Sequence, residues 1–158
     1  MNIIKKKTHT VFLYSIVGFL IISNHLHAAM AAWSSHPQEN TPLCTVPEQQ
    51  SAPQIISDGA GGAIITWEDR RNIHFDIFAQ RIDTQGNIVW EKGGVPVCAA
   101  PENQSKPRII SDGAGGAIIT WHDIRNGTDN ADIYAQRIDA QGKPQWTING
   151  ITLCNEPN

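Results

Sequence analysis

One stretch of thirteen residues occurs twice in the chain. Residues 55–67 read IISDGAGGAIITW, and residues 109–121 repeat them without a change, 54 positions later. A repeat with a period of about this length is typical of architectures in which one supersecondary unit stacks on the next. The fold must therefore accept the same unit twice, and the remainder of the chain is interpreted relative to that unit.

Each unit is predicted to form four short strands. In the first unit they cover residues 53–57, 63–68, 76–83 and 88–91. The run DGAGG between the first two strands supplies glycines for a tight hairpin, and TQGN at 84–87 supplies a second turn. No connection is long enough for a helical crossover, so the strands are expected to pair antiparallel in chain order.

The repeat divides the chain into five segments. Three lysines at positions 5–7, a short apolar run at 11–23 and small residues after it predict a signal peptide over 1–31. Residues 32–43 are interpreted as the tail of a repeat, 44–97 and 98–153 as two full repeats, and 154–158 as the start of a truncated third. The apolar run is short for a spanning helix, so a cleaved signal is preferred to the alternative of a retained anchor, and the mature chain is expected to have no membrane span. The predicted location is secreted, periplasmic or at the cell surface.

Three cysteines recur at the same place in the repeat. Cys44, Cys98 and Cys154 are separated by 54 and 56 residues. A repeated small side chain indicates a packing position, and the alternative is a disulfide, which an exported protein permits.

A longer motif accompanies the exact repeat. Trp67, Asp69, Arg71 and Asn72 form W-x-D-x-R-N, which recurs at Trp121, Asp123, Arg125 and Asn126. It is followed by DI-x-AQRID-x-QG, then Trp, then Cys. This arrangement resembles a repeat of large exported bacterial proteins of uncharacterised function, and the resemblance implies β-propeller blades. The DGAGGAIITW run resembles the Asp-box of sialidase-type propellers only loosely, and no sialidase activity is inferred.

The predicted fold is thus all-β, with two tandem four-stranded antiparallel meanders as propeller blades, which alone make an incomplete propeller. Two blades leave apolar faces bare, whereas propellers typically close with about four to eight blades. Three solutions stay open: a truncated fragment of a longer protein, a ring of several chains such as three chains with six blades, or a face-to-face sandwich.

The candidate binding residues are aromatic and charged. Trp90 and Trp146 lie near turns, where exposed indoles would stack on sugar rings, while Trp67 and Trp121 alternate with apolar residues and are expected in the core. The motif's charged residues complete the predicted ligand-binding set, namely Asp69, Asp123, Arg71 and Arg125.

The repeated acids have two interpretations. Asp58, Asp69, Asp76 and Asp83 recur at Asp112, Asp123, Asp132 and Asp139. Calcium takes oxygen ligands from such loops, but aspartates also cap turns and pair with arginines. The second interpretation is preferred, because a residue present in every unit is explained by the fold that the units share.

No catalytic set, metal site or cofactor is predicted. The net charge of −3 does not favour nucleic acid as a partner, since such binding needs a basic face. The function expected is an exported, non-enzymatic module that binds or scaffolds an unknown protein or glycan. The alternatives are a lectin formed by ring oligomerisation of identical chains, or a fragment of a larger propeller protein such as a hydrolase.

Overall fold

The computed structural model describes residues 40–127 and 131–154, which form two antiparallel sheets. Sheet 1 contains β1 (Gln50–Ser57), β2 (Ala63–Asp69), β3 (Asp76–Ile82) and β4 (Val95–Cys98). Sheet 2 contains β5 (Gln104–Ser111), β6 (Ala117–Asp123), β7 (Asp132–Ile138) and β8 (Ile151–Cys154). Strands adjacent in the chain are adjacent in each sheet, so the predicted antiparallel meanders are confirmed. The predicted signal peptide and the segments 32–39 and 155–158 lie outside the described residues.

The two sheets share one pairing register. Trp67 lies opposite Phe78 in sheet 1, and Trp121 lies opposite Tyr134 in sheet 2. The irregularity between Ser51 and Gln54 in β1 also recurs at the same place in β5. The same residues therefore produce the same local structure in both sheets.

The glycine-rich run forms the predicted hairpin between β1 and β2. Asp58 Oδ1 accepts hydrogen bonds of 2.8 Å from the backbone N–H groups of Ala60 and Gly62. Gly61 has a φ of 90°, and Gly62 lies so close to β3 that a Cβ would meet the Ile82 carbonyl oxygen at 2.1 Å. The aspartate caps the turn while the glycines allow its backbone shape and its close packing.

The fourth strand differs from the prediction. The segment 88–91 contributes only an isolated bridge between Ile88 and Ile82, and β4 begins at Val95. The Gln80 side chain replaces the expected ladder: its Oε1 accepts from Trp90 N at 3.0 Å, and its Nε2 donates to Glu91 O at 2.7 Å. Because a buried side chain satisfies this backbone, the segment needs no strand partner.

Each sheet has two apolar faces. The tryptophan face carries Ala63, Ile65, Trp67, Phe78 and Ile82 in sheet 1, and Ala117, Ile119, Trp121, Tyr134 and Ile138 in sheet 2. The isoleucine face carries Ile64, Ile77 and Ala79 in sheet 1, and Ile118, Ile133 and Ala135 in sheet 2. The sets follow from strand alternation, which sends successive side chains to opposite sides.

The sheets stack with unlike faces together. The isoleucine face of sheet 1 and the tryptophan face of sheet 2 belong to one buried cluster, which also contains Trp90 and Val97. The tryptophan face of sheet 1 forms a second cluster, covered in part by Leu43 and Cys44. The main core therefore lies between the sheets.

Candidate functional site

The W-x-D-x-R motif forms a bonded cluster where β2 ends. The indole N–H of Trp67 donates to Asp69 Oδ2 at 2.8 Å. Arg71 donates to both carboxylate oxygens, from Nε to Oδ1 at 2.9 Å and from Nη2 to Oδ2 at 2.6 Å. Its backbone N–H also reaches Oδ1 at 2.9 Å. Both oxygens of Asp69 are therefore engaged, in the two-pronged geometry that suits arginine and carboxylate.

The guanidinium of Arg71 also ties other elements to this cluster. It stacks on the Phe78 ring with 3.7 Å between Cζ and the ring centroid. Its Nη2 donates to the Gly93 carbonyl oxygen at 2.7 Å and approaches the sulfur of Cys44 at 3.6 Å. One side chain thus connects the end of β2 with β3, with the turn before β4 and with the segment before β1.

Burial and bonding compete at Asp69. Desolvation acts to raise the pKa of this carboxyl, but hydrogen bonds from Arg71 and Trp67 outweigh it and hold the pKa below its ordinary value. The pKa of the Arg71 guanidinium is raised, chiefly by its hydrogen bond to Asp69. The pair is therefore ionised at neutral pH.

Sheet 2 contains the same cluster. Trp121 Nε1 donates to Asp123 Oδ2 at 2.8 Å, and Arg125 Nε donates to Asp123 Oδ1 at 2.9 Å. Arg125 lies over the Tyr134 ring at 3.9 Å and donates to the Asn149 carbonyl oxygen at 2.9 Å. Desolvation again acts to raise the pKa of Asp123, and the hydrogen bonds from Arg125 and Trp121 lower it further than burial raises it.

This geometry shows where the charged residues of the predicted ligand-binding set lie. The side chains of Asp69 and Asp123 are 0% exposed, while those of Arg71 and Arg125 are 23% and 18% exposed. Only a small part of each arginine side chain reaches the surface, and each arginine is bonded to a carboxylate that is fully buried. The arrangement is well suited to locking each sheet's strands together.

The other repeated acids act on turns and on arginines. Asp58 accepts from Arg81 Nη2 at 2.8 Å, as Asp112 does from Arg137 at 2.9 Å. Asp83 Oδ1 accepts from the backbone N–H groups that follow it in the second turn. The contacts confirm turn capping and arginine pairing for these aspartates. Asp76 and Asp132 instead accept hydrogen bonds from the side chains of Asn72 and Asn126, at 2.6 and 2.8 Å. Within the described ranges, no group of three or more histidines, cysteines or acids could hold a metal ion.

The two candidate tryptophans have different environments. Trp90 is 7% exposed, and its indole N–H donates to the Ala140 carbonyl oxygen of sheet 2 at 3.0 Å. The expectation that Trp90 would be open to a sugar ring is therefore wrong, because the following sheet covers it. Trp146, its equivalent in sheet 2, is half-buried. The structure does not bring the six candidate residues into one site.

The cysteines are free thiols in three environments. Cys98 is 1% exposed and Cys154 is exposed, with Cys44 between them. Burial raises the pKa of the Cys98 thiol to about 12. Cys98 therefore fits the packing interpretation.

Two buried glutamines have a structural role that was not predicted from the sequence. Gln80 and Gln136 are 0% exposed, and Gln136 makes the same two backbone bonds as Gln80: its Nε2 donates to Thr147 O, and its Oε1 accepts from Trp146 N. Their signal was present, since a glutamine repeated at one place inside an apolar strand pattern indicates a fixed hydrogen-bonding role.

The surface offers shallow hollows. A hollow of about 260 Å³ lies on the tryptophan face of sheet 1, lined by Leu43, Cys44, Ile65 and Trp67. No helix in the described parts of the chain is both long enough and apolar enough to span a membrane.

Comparison of the chain with protein-family models, with curated proteins and with solved structures found no match. The interpretation of the site therefore depends on its geometry and on the sequence pattern.

Proposed function

We propose that the chain is an exported, non-enzymatic β-repeat module that binds or scaffolds, with its two sheets as consecutive blades of the propeller type. The observation that carries this proposal is the packing of unlike faces, in which Ile64 and Ile77 of sheet 1 share a core with Trp121 and Tyr134 of sheet 2. Two units related by a two-fold axis would bury the same face twice. Unlike faces instead allow a third unit to add in the same sense, as blades do around a propeller axis.

The use of the repeated charged residues supports a structural module. The carboxylates of Asp69 and Asp123 are neutralised by arginines of the same sheet, and those of Asp58 and Asp112 cap hairpins and pair with further arginines. A catalytic acid or base needs an oxygen free to meet a substrate. These carboxylates are committed to the fold.

Export is supported by the sequence pattern of residues 1–31, which has the basic, apolar and small-residue regions of a signal peptide. Fractionation of cells that express the full chain tests this part. We expect the protein outside the cytoplasm with an N-terminus near residue 32, and a chain retained whole in the cytoplasm contradicts it.

The glycan alternative depends on Trp146, because it is the candidate tryptophan that is partly accessible. A glycan array with the purified chain and with Trp146→Ala separates the two functions. Ile148→Ala is the matched control, since Ile148 is 83% exposed two residues away. Retention lost only with Trp146→Ala, while the solution mass of that variant equals the wild-type mass, establishes a lectin, whereas no glycan retention supports a protein-directed module.

Enzymatic activity is tested with a panel of glycoside and ester substrates. We expect turnover no faster than the buffer rate. Hydrolysis that co-purifies with the chain through successive columns overturns the proposal.

A further inference from the structure

The isoleucine face is fully covered in sheet 1 and only partly covered in sheet 2. Ile64 and Ile77 are 0% exposed, while the equivalent Ile118 and Ile133 are only half-buried. The difference is not local, because the two central strands have the same register and nearly the same sequence in both sheets. It arises because sheet 2 covers sheet 1 and the described chain has no third sheet.

The exposed apolar surface of sheet 2 also includes residues of the two outer strands. Ile110 at the end of β5 is 62% exposed, and Leu153 in β8 is 56% exposed. Their equivalents in sheet 1 are Ile56, which packs against the main core, and Val97, which is 2% exposed. Contiguous exposed apolar side chains of this kind mark an interaction surface.

The chain itself contains the surface that fits this face. The isoleucine face of sheet 1 is covered by Ala117, Ile119, Trp121 and Tyr134. Sheet 1 carries nearly the same set on its own tryptophan face, as Ala63, Ile65, Trp67 and Phe78. These four residues are only 4–5% exposed in the single chain, so a second copy has to displace the segment that packs on them. We propose that the isoleucine face of sheet 2 binds the tryptophan face of sheet 1 in a second copy of this chain, head to tail.

The polar contacts of the internal interface have equivalents at the proposed one. The carbonyl oxygen of Ala140 accepts from Trp90 Nε1 at 3.0 Å and from Arg81 Nη1 at 3.2 Å. On sheet 2 the corresponding donors are Trp146 and Arg137. In the second copy the corresponding acceptor is the carbonyl oxygen of Thr84, which occupies the same place in the hairpin turn.

The turn of sheet 1 also has a glycine at the position where this contact needs one. A Cβ on Gly142 would lie 2.9 Å from two atoms of the Trp90 ring, so the internal interface requires a glycine there. The equivalent residue in sheet 1 is Gly86, where a Cβ would meet only the Thr41 hydroxyl at 3.4 Å. Gly86 is buried beside Thr41, so the Trp146 ring of another copy can pack there only when the segment around Thr41 moves aside.

One segment lies in the path of the second copy. Leu43 and Cys44 pack on the tryptophan face of sheet 1, as Val97 and Cys98 pack on that of sheet 2. Leu153–Cys154 of the incoming copy is equivalent to Val97–Cys98 and would take the same place. One of the two pairs must therefore move aside, which brings Cys44 of one copy close to Cys154 of the other.

The interface is heterologous, because it joins two different faces. When two copies bind, each of them therefore still has one face free for a further copy. Such contacts close into a ring or continue as a filament. Propellers have about four to eight blades, which corresponds to roughly two to four copies of a two-sheet chain. This inference depends on the stacking in the proposed function but not on any ligand, so mass measurements fail or succeed independently of binding assays.

The first test measures solution mass by light scattering over a range of concentrations, for the full purified chain and for Ile118→Asp and Ile133→Asp. Both variants place a carboxylate on a partly exposed position, so the single chain is expected to keep its fold, which far-ultraviolet circular dichroism checks. Ile148→Lys is the control, because its equivalent in sheet 1 is the exposed Lys92.

We expect a multiple of the chain mass for the wild type and for Ile148→Lys, and the mass of one chain for the two aspartate variants. A wild-type chain that stays single at every concentration overturns the proposal. A folded Ile118→Asp variant that associates as well as the wild type also overturns it.

The second test fixes the head-to-tail direction. Cys44→Ser and Cys154→Ser chains are oxidised with copper phenanthroline, separately and mixed, and covalent dimers are counted on a non-reducing gel. The oxidant removes two electrons and two protons from a pair of thiols. We expect the mixture to give several-fold more dimer than either variant alone, and equal yields in all three samples would overturn the arrangement.

Discussion

The indole N–H of Trp90 in sheet 1 donates a hydrogen bond of 3.0 Å to the carbonyl oxygen of Ala140 in sheet 2. Trp90 also belongs to the core between the sheets, so one side chain supplies both apolar contact and a directional bond. Its equivalent, Trp146, has the same place in the repeat but lies at the side where the described sheets end. The two tryptophans therefore report how much stability depends on a following sheet.

Replacement of Trp90 with alanine is expected to destabilise the chain far more than the same change at Trp146. Truncation of a buried tryptophan costs about 3–5 kcal/mol, because contacts are lost and a cavity stays behind. Trp146 is half-buried, so about half of that loss is expected at most. Urea unfolding, followed by circular dichroism at concentrations where the chain is single, measures both changes. Equal losses would show that the sheets do not depend on this contact.

The strands that the sequence predicted best are those with apolar alternation and glycine turns at their ends. β2 and β3 lie within a residue of the expected ranges, because 63–68 and 76–83 each alternate between two buried faces. The fourth strand was misplaced because the apolar residues at 88–91 resemble a strand. Nothing in that segment shows that Gln80, ten residues earlier, takes up its backbone groups.

The sequence predicted which residues form the W-x-D-x-R cluster, but it did not predict the contacts that give these residues a structural role. The spacing places Trp67 and Asp69 on one side of β2, with Arg71 two residues beyond the end of the strand. That Arg71 folds back onto Phe78 and onto the carbonyl of Gly93 depends on the position of β3 and of the turn before β4. The burial of Trp90 depends on how sheet 2 packs against sheet 1, and the pattern of residues within a strand does not define that packing.

Stability is expected to fall in acid because of the buried carboxylates. The pKa values of Asp58, Asp69, Asp112 and Asp123 are lowered from 3.8 in the folded chain. Such groups contribute stability above their unfolded pKa and lose it as pH falls through the folded value. The free energy of unfolding should therefore decline below about pH 4.

Asp76 acts in the opposite direction, because burial raises its pKa, but the four lowered groups outnumber it. Urea titrations at several pH values between neutral and strongly acidic measure the slope. Asp69→Asn should flatten the slope while it lowers stability at neutral pH, by about 3 kcal/mol or more for a broken buried pair. A slope unchanged in this variant would contradict the assignment.

Gly94 is expected to tolerate no side chain. Its φ is 91°, and a Cβ there would lie 2.5 Å from Trp67 Cη2 and 3.0 Å from the Ala79 carbonyl oxygen. Gly94→Ala should therefore displace the tryptophan and cost several kcal/mol, as overpacking adds to backbone strain of about 1–2 kcal/mol. Gly59→Ala is the control, since Gly59 has a φ of 78° but open space around its Cβ. Thermal unfolding should separate the two variants clearly, and similar midpoints would refute the close contact.

Cys98 is expected to be inert in the folded chain and reactive in the unfolded one. It is 1% exposed, and burial raises the pKa of its thiol to about 12, so almost no thiolate forms near neutral pH. At concentrations where the chain is single, Cys154 is exposed and should react first with a maleimide, as digestion and mass spectrometry of the labelled chain would show. Because a raised thiol pKa favours the protonated form, labelling of Cys98 should remain slow up to mildly alkaline pH. It should become fast only when urea unfolds the chain, in step with the loss of circular dichroism.

Labelling of Cys98 as fast as that of Cys154 under native conditions would mean that the two sheets separate readily, and that the core between them is not the main source of stability.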